Sequence, residues 1–404
     1  MSEQSEAEDL KNQIKELKRE LLIANISNSK MKKLHNDLVN DNREVKYHNV
    51  IPLVNPHAGP STFSYTPIQI QTAYSLNSIV TPNSSLRGTG IKVAVIIAYH
   101  YANLQRDFNT FCTLYNLPSS TLTIINQAGK STNAGWAQEE CLDVQMIKLA
   151  APGATIIVVE AANASFTALN TAIRAAVTAG ADIVSMSWGS SEFSTQLSND
   201  SVFSNTNVCY VASSGDTGSQ VEYPSSSANV LAIGGTSLFL DGSNLRINET
   251  IWSPVNGAGG GGGISLYTPK PTYQNNFNSS FNKIGVPHIS CVADPSTGVK
   301  VVYNNIVYTF GGTSVSCPFF AGFLATVNQI RVANNKTKLT TVASSTSNNV
   351  QNMLYNNIYP NNKPAIYDVT NGNNGILQAS TGYDIISGVG SFNGNLLCTA
   401  LASI

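Results

Sequence analysis

Three short segments carry residue types that could break a peptide or ester bond. In the first, Trp136 to Lys148 (WAQEECLDVQMIK), Glu139 and Asp143 stand four residues apart, a spacing that places both carboxyls on one face of a helix. Leu142, Val144, Met146, Ile147 and Leu149 supply apolar surroundings, and like charges held close under burial raise a carboxyl pKa. A carboxyl raised in this way can serve as a general base, with its neighbour orienting it. Glu140 is a rival base, because three residues also reach from it to Asp143. A solvated acidic face would account for the same residues.

The second segment is Gly311 to Pro318 (GGTSVSCP), which precedes the apolar, small-residue stretch FFAGFLATV. The stretch reads as a buried helix with Ser314 at its N-terminus. There, free backbone N–H groups and the positive end of the helix dipole stabilise an oxyanion, and the glycines allow a substrate close to the backbone. Pro318 is expected in the first turn, which has no use for its missing N–H. A plain capping role for Ser314 or Ser316 fits these residues equally. The third segment is Val211 to Gly218 (VASSGDTG), where Asp216 follows an apolar strand. Protonated, it could donate to a developing oxyanion; otherwise it is a turn-forming Asp between glycines.

A serine nucleophile needs a base, and the five histidines offer none on a periodic element beside a carboxylate: His35, His48 and His57 precede the main domain, His100 follows the first long strand, and His288 lies in a loop. A Ser–His–Asp triad stays open as an alternative.

The elements that must position these residues run from about residue 91. Short β-branched runs at 91–99, 121–126, 154–161, 181–188 and 208–216 alternate with helical stretches at 103–114, 136–150 and 165–178. That alternation predicts an α/β fold, a parallel sheet flanked by helices with ligands at the carboxyl ends of its strands. Residues 8–40 are Lys-, Glu- and Leu-rich. Leu10, Ile14, Leu17, Leu21, Ala24, Asn28, Met31, His35 and Leu38 trace a heptad seam, which fits either a short coiled coil that oligomerises the chain or a lone amphipathic helix. Residues 1–40 are thus an N-terminal helical segment and 41–64, with Pro52, Pro56, Gly59 and Pro60, a linker.

Charged residues make up 12% of the 404 and the formal net charge is −1, which disfavours nucleic acid and anionic membrane as partners. The polar, acidic N-terminus lacks a secretory pattern and no apolar run reaches spanning length, so the chain is expected to stay where it is made. Six singly spaced cysteines, Cys112, Cys141, Cys209, Cys291, Cys317 and Cys398, read as reduced thiols. Asn-X-Ser/Thr sequons such as those at Asn163 and Asn248 would matter only on a secreted chain.

Taken in order, the Glu139…Asp143 helix, SSGDTG and GGTSVSCP resemble the sedolisins, serine-carboxyl peptidases with a subtilisin-like fold. SMSWG (185–189), YPSSSANVLAIGGTSL (223–238), the Trp252 to Gly263 stretch with its five glycines, and VPHISCVADPSTG (286–298) match in the same order. The resemblance runs from about Tyr65 to the C-terminus, giving a 65–404 peptidase domain. It implies Ser314 as nucleophile, Glu139 as general base, Asp143 as the acid linked to it, and Asp216 as oxyanion donor with the Ser314 amide. It also implies activity in acid on a polypeptide substrate held along Ser187, Trp188, Gly189, Gly260 and Gly261. A structural Ca²⁺ held by the carboxylates of Asp368 and Asp384 and the carbonyls of Val369, Ser380 and Gly382 follows from the same resemblance. Hard oxygen ligands on a Gly/Asn-rich loop suit that ion. The chain departs from the family in three places. Only 64 residues, without prosegment character, precede the match; Ser380 stands where glycine is usual; and His288 replaces an Asp. The expected function is endopeptidase or tripeptidyl-type exopeptidase. A non-catalytic binding protein that oligomerises through residues 8–40 is the alternative.

Overall fold

Lys46–Tyr47 forms β1, a short strand inside the stretch expected to be linker. The computed structural model describes residues 46–47 and 64–404, apart from residues 83, 85, 256, 278, 279, 345 and 346. The heptad segment lies outside the described residues, as does the rest of 41–63.

After α1 (Pro67–Ala73) the expected alternation follows: β2 (Lys92–Ala98), α2 (Leu104–Leu114), β3 (Thr123–Asn126), α3 (Ala134–Ala150), β4 (Thr155–Ala161), α4 (Phe166–Thr178) and β5 (Ile183–Met186). Next come β6 (Trp188–Ser191), β7 (Cys209–Ser213), β8 (Glu222–Tyr223), β9 (Leu231–Leu240) and β10 (Arg246–Ile251). The Gly-, Asn- and Ser-rich remainder holds β11 (Gly263–Pro269), β12 (Lys283–Val286), β13 (Ile289–Val292), the hairpin β14 (Val299–Tyr303) and β15 (Ile306–Phe310), and then α5 (Thr313–Ala333).

The central sheet has the order β10-β9-β7-β5-β2-β4-β3, and β13 also pairs with β9. Every pairing in it is parallel except β10 with β9. β2 lies between β4 and β5 with Val93 opposite both Ile156 and Ile183, and its residues Val93 to Ala98 are buried. Flanking helices cover such strands on both faces, which is why they read as unbroken apolar runs rather than alternating ones. The apolar side chains of sheet and helices form one continuous core.

Two buried helices, α3 and α5, pack against each other, and α5 also lies on β5, β7 and β9. Gly322 sets that approach. A β-carbon there would fall 2.8 Å from the Ala150 Cβ and 3.0 Å from the Ile147 carbonyl oxygen, closer than packed atoms tolerate. The two segments singled out for their chemistry therefore sit on a pair of helices held in one register.

Candidate active site

Helix α3 begins where the Asn133 side chain accepts the Gly135 and Trp136 N–H groups at 3.0 and 3.1 Å, an N-cap. Its polar residues are buried rather than solvated, which removes the acidic-face reading: Glu139, Glu140, Asp143, Gln145 and Lys148 are all within the interior. Gln145 exchanges two hydrogen bonds with the Val302 backbone at 2.7 and 2.8 Å, and Lys148 donates to the Pro152 carbonyl at 2.7 Å. The carboxyls differ. Both Glu139 oxygens, Glu140 Oε1 and Asp143 Oδ2 are buried without a hydrogen-bond partner, a condition that costs about 1–3 kcal/mol per group. Buried polar atoms left in this state are uncommon and concentrate at sites of chemistry.

Ser314 is the second residue of α5 and is fully buried. It is not a cap. Gly312, at φ 109°, occupies the N-cap position without any side-chain capping bond, and Ser316 donates back to the Thr313 carbonyl at 2.8 Å. Pro318 lies at the sixth position of the helix, beyond the expected first turn. The N–H it lacks is the one that would have bonded to the Ser314 carbonyl.

Packing of α3 on α5 brings the Glu139 carboxyl to Ser314. Burial pushes Glu139 well above the ordinary carboxyl range, Asp143 pushes it further, and the Ser314 hydroxyl acts in the opposite direction. Hydrogen-bond geometry between them is incomplete, because the Ser314 hydroxyl donates at 3.4 Å to the Ser187 carbonyl instead. One rotation of the serine side chain separates this arrangement from one in which Glu139 receives the proton, and such bonds are commonly loose before a substrate arrives. Asp143 is pushed up to about 8 by burial, against the Ser187 hydroxyl, which donates to its Oδ1 at 2.7 Å, and against Glu139. The two carboxyls interact strongly enough to titrate as a pair.

Asp216 follows β7 and ties its loop to the start of α5. Its Oδ1 accepts both the Thr313 N–H and the Thr313 hydroxyl at 2.7 Å, one residue from Ser314, and its charge also bears on Glu139. The polyglycine run is no flexible linker. Gly259 N–H donates to Asp216 O at 3.0 Å, Gly260 N–H to Trp252 O at 2.9 Å, and Gly261 N–H to Gly215 O at 2.7 Å. A β-carbon on Gly261 would come within 2.7 Å of the Ser214 carbonyl oxygen, so the run must be glycine to brace the Asp216 loop. Ser187 points inward to Asp143, and Trp188 is buried with its indole N–H on the Ile96 carbonyl at 2.9 Å. The backbone of β6 offers an edge that another strand can pair with: Trp188 and Gly189 pair antiparallel with Tyr47 and Lys46 of β1.

Two sequence expectations change. Glu140 is influenced by Glu160 of β4 and by Asp143, whereas Ser314 acts on Glu139, so Glu139 is the better-placed candidate base. His100 does have a carboxylate, since its Nδ1 lies 2.8 Å from each Glu160 oxygen, a contact hidden in sequence because the residues are sixty apart. His288 is fully buried, receiving the Ala232 N–H on Nδ1 at 2.9 Å and meeting the Tyr273 hydroxyl through Nε2 at 3.1 Å.

Far along the chain, Asp368 Oδ2 accepts the Gly382 N–H at 2.9 Å, and Asp384 Oδ2 accepts the Ser380 N–H at 3.1 Å. Asp384 Oδ1 accepts from Ile386, Ser387 and the Ser387 hydroxyl at 3.0, 2.8 and 2.9 Å. Val369, the remaining residue of that set, is buried beside them. Among the described residues neither carboxylate has a Lys or Arg ion partner, and no cluster of three or more His, Cys, Asp or Glu gathers as a metal site. No helix among the described residues is long and apolar enough to cross a membrane.

The chain matches the subtilase family over residues 80–383. It is 29% identical to kumamolisin of Bacillus sp. (strain MN-32) over 381 residues, covering 84% of this chain and 64% of kumamolisin. It is 31% identical to sedolisin of Pseudomonas sp. (strain 101) over 182 residues, covering 43% of this chain and 29% of that protein. The chain thus spans less than two thirds of the length of these relatives. The structure of Pseudomonas sedolisin, a serine-carboxyl proteinase complexed with two molecules of pseudo-iodotyrostatin, superimposes with a TM-score of 0.72 at 25% identity over 85% of this chain and 99% of that one. With its parallel sheet, flanking helices and the motifs in their order, the chain belongs to the subtilase family and groups by similarity with the sedolisins.

Proposed function

We propose that this chain is a serine-carboxyl peptidase that hydrolyses peptide bonds through an acyl-enzyme on Ser314. The observation that carries the reading is the pair of unpartnered Glu139 oxygens, buried beside Ser314 and Asp143. A purely structural carboxyl would be satisfied by its neighbours, as Gln145 and Lys148 are.

In this reading Ser314 Oγ attacks the substrate carbonyl carbon as Glu139 takes the hydroxyl proton, and Asp143 shares the charge through the coupled pair. The tetrahedral oxyanion is met by the Ser314 N–H at the start of α5 and by Asp216 in its protonated form. Collapse expels the amine, which leaves with the proton from Glu139. Water activated by the same carboxylate then releases the acyl group. Carboxyl groups in place of an imidazole suit acid conditions, where Asp216 can hold its proton, although the raising of Glu139 by burial itself works toward higher pH. The substrate is an extended polypeptide that adds to the edge of β6 along Ser187, Trp188 and Gly189, as β1 does with its backbone, main-chain pairing being the usual source of affinity in such docking. Gly260 and Gly261 hold the far wall through the Asp216 loop.

The same reading places a structural Ca²⁺ at the turn between Asp368 and Asp384, whose carboxylates accept the Gly382 and Ser380 N–H groups and have no Lys or Arg ion partner among the described residues; the carbonyls of Val369, Ser380 and Gly382 would complete an all-oxygen donor set. The ion would supply structural cross-linking of these loops and no step of the reaction.

The test is cleavage of an unfolded protein across acid and neutral pH with Ca²⁺ present. Wild type should cleave and Ser314→Ala should not; equal inertness of both proteins would end the reading.

A further inference from the structure

We propose that His288 is an acid-released latch, which holds the start of β13 to β9 only while its ring nitrogen Nδ1 is free to accept a backbone N–H. The inference stands on the fold and goes beyond the peptidase reading. His288 directly precedes β13, and its main chain and ring grip the same residue: the His288 N–H donates to the Ala232 carbonyl and the Ala232 N–H donates to Nδ1, each at 2.9 Å. On its other side the His288 carbonyl accepts the Val389 N–H at 2.9 Å. Gly388, at φ 68°, must lack a β-carbon, because one would overlap that carbonyl. The ring is fully buried between these contacts.

An imidazole nitrogen that accepts a hydrogen bond carries no proton. The neutral ring therefore keeps its hydrogen on Nε2, which faces the Tyr273 hydroxyl at 3.1 Å, and that hydroxyl donates in turn to the Ala228 carbonyl at 3.4 Å. A second proton has only Nδ1 to go to, where it would point at the Ala232 N–H. Donor would face donor. Burial lowers the ring to about 3, with the Ala232 backbone as the smaller influence in the other direction. The titratable groups around the ring supply no compensating charge: Tyr273, Tyr355 edge-on at 6.0 Å, and Tyr383 behind it are all pushed up by burial and stay neutral in acid. Asp384, on the loop that reaches Val389, turns its Oδ1 to Ile386 and Ser387.

Two connections give the latch its reach. β13 leads from His288 to Ala293, whose carbonyl receives the Gly312 N–H at 2.6 Å at the N-cap of α5, two residues before Ser314. Toward the other side, the Ser290 N–H donates to the Gly390 carbonyl at 2.9 Å and its hydroxyl to the Ser387 carbonyl at 3.1 Å. One strand end thus helps to hold both the start of the Ser314 helix and the loop after Asp384.

Once the segment opens, the ring titrates near its ordinary value of about 6.5. Closure is undisturbed above that pH, and below it opening becomes about tenfold easier per pH unit. The measurement is residue-resolved amide hydrogen exchange of the full chain between about pH 7 and pH 4, each rate divided by its intrinsic value. Protection at Ala232 and Val389 should fall by about tenfold per unit below about pH 6 in wild type. It should stay level in His288→Asn, whose side-chain oxygen can accept the Ala232 N–H at any pH, and amides of β2 such as Val95 should keep their protection in both proteins. Equal pH dependence in the two proteins, or a loss shared by β2, overturns the latch. If His288→Asn does not fold, imidazole ¹⁵N spectra of wild type decide: a ring protonated on Nε2 alone down to about pH 5 supports the proposal, and titration near 6.5 with the fold intact overturns it. If no Ser314-dependent cleavage is seen, the peptidase reading falls, and exchange still decides the latch.

Discussion

The Ser187 hydroxyl donates to Asp143 Oδ1 at 2.7 Å while the Ser187 carbonyl receives the Ser314 hydroxyl at 3.4 Å. One residue thus touches both Asp143 and Ser314. Ser187→Ala removes the hydrogen bond that holds Asp143 down, so the rise of activity with pH should move toward higher pH. Leaving a second buried Asp143 oxygen unpartnered should also lower stability by about 1–3 kcal/mol. A pH–rate profile and a thermal melt measure the two effects.

Glu139→Gln keeps the size of the side chain and abolishes the base. Cleavage should fall by about 10²–10⁴-fold, whereas a Ser–His–Asp enzyme would be nearly indifferent. Because burial raises the Glu139 carboxyl, ionisation opposes folding, and the variant should melt at or above wild type near neutral pH. A rate loss together with a lower melting temperature would point instead to a structural role.

Stability should vary with pH through two opposed groups. Asp143, raised to about 8 in the folded state, contributes stability that is fully present in acid, below its unfolded value, and lost as pH rises toward 8. His288 works the other way. Burial lowers it to about 3, so the fold carries no cost above the ordinary histidine value and an increasing one as pH falls from about 6.5 to 3, on the order of 5 kcal/mol at full extent. His288→Asn, in melts at pH 4 and pH 7.5, should narrow the difference in favour of acid. An equal shift at both pH values would remove His288 from the account.

Ca²⁺ at the proposed site between Asp368 and Asp384 would stabilise the folded state by mass action. Chelation should lower the melting temperature of wild type by several degrees, and Asp368→Asn should already melt low and respond little to chelator. Identical responses in the two proteins would exclude this turn as the site.

Lys46 and Tyr47 hold the edge of β6 that a substrate strand would use. Deleting residues 1–47 should lower KM several-fold at nearly constant kcat. An unchanged KM in steady-state assays would mean that substrates dock elsewhere.

The order of the chemical segments, the strands as far as β7 and the helices between them were legible because central strands such as β2 and β4 are covered on both faces and read as solid apolar runs, whereas the strands of the Gly-, Asn- and Ser-rich remainder were not. Glu139 and Asp143 were legible for a similar local reason, their shared helical face. The partners of Glu140 and His100 were not. Glu160 lies on a strand beside β2, and such adjacency is a property of topology rather than of spacing. Pro318 was placed a turn too early because the helix begins at Thr313, a boundary set by the Gly312 backbone and the Asp216 carboxylate. The role of the glycines at 259–263 was hidden for the same reason, since what they brace lies forty residues earlier.

Gly322 sits eight residues along α5 from Ser314, roughly 12 Å at 1.5 Å per residue. Its missing side chain is the gauge block between two rods, one carrying Ser314 and the other Glu139. Adding a methyl there would wedge α5 away from α3 near Ala150 and Ile147, and the spread would be felt as misalignment at the far end. A substitution along this seam would therefore act on the spacing of Ser314 and Glu139 from a distance, through the helix axes rather than through a contact.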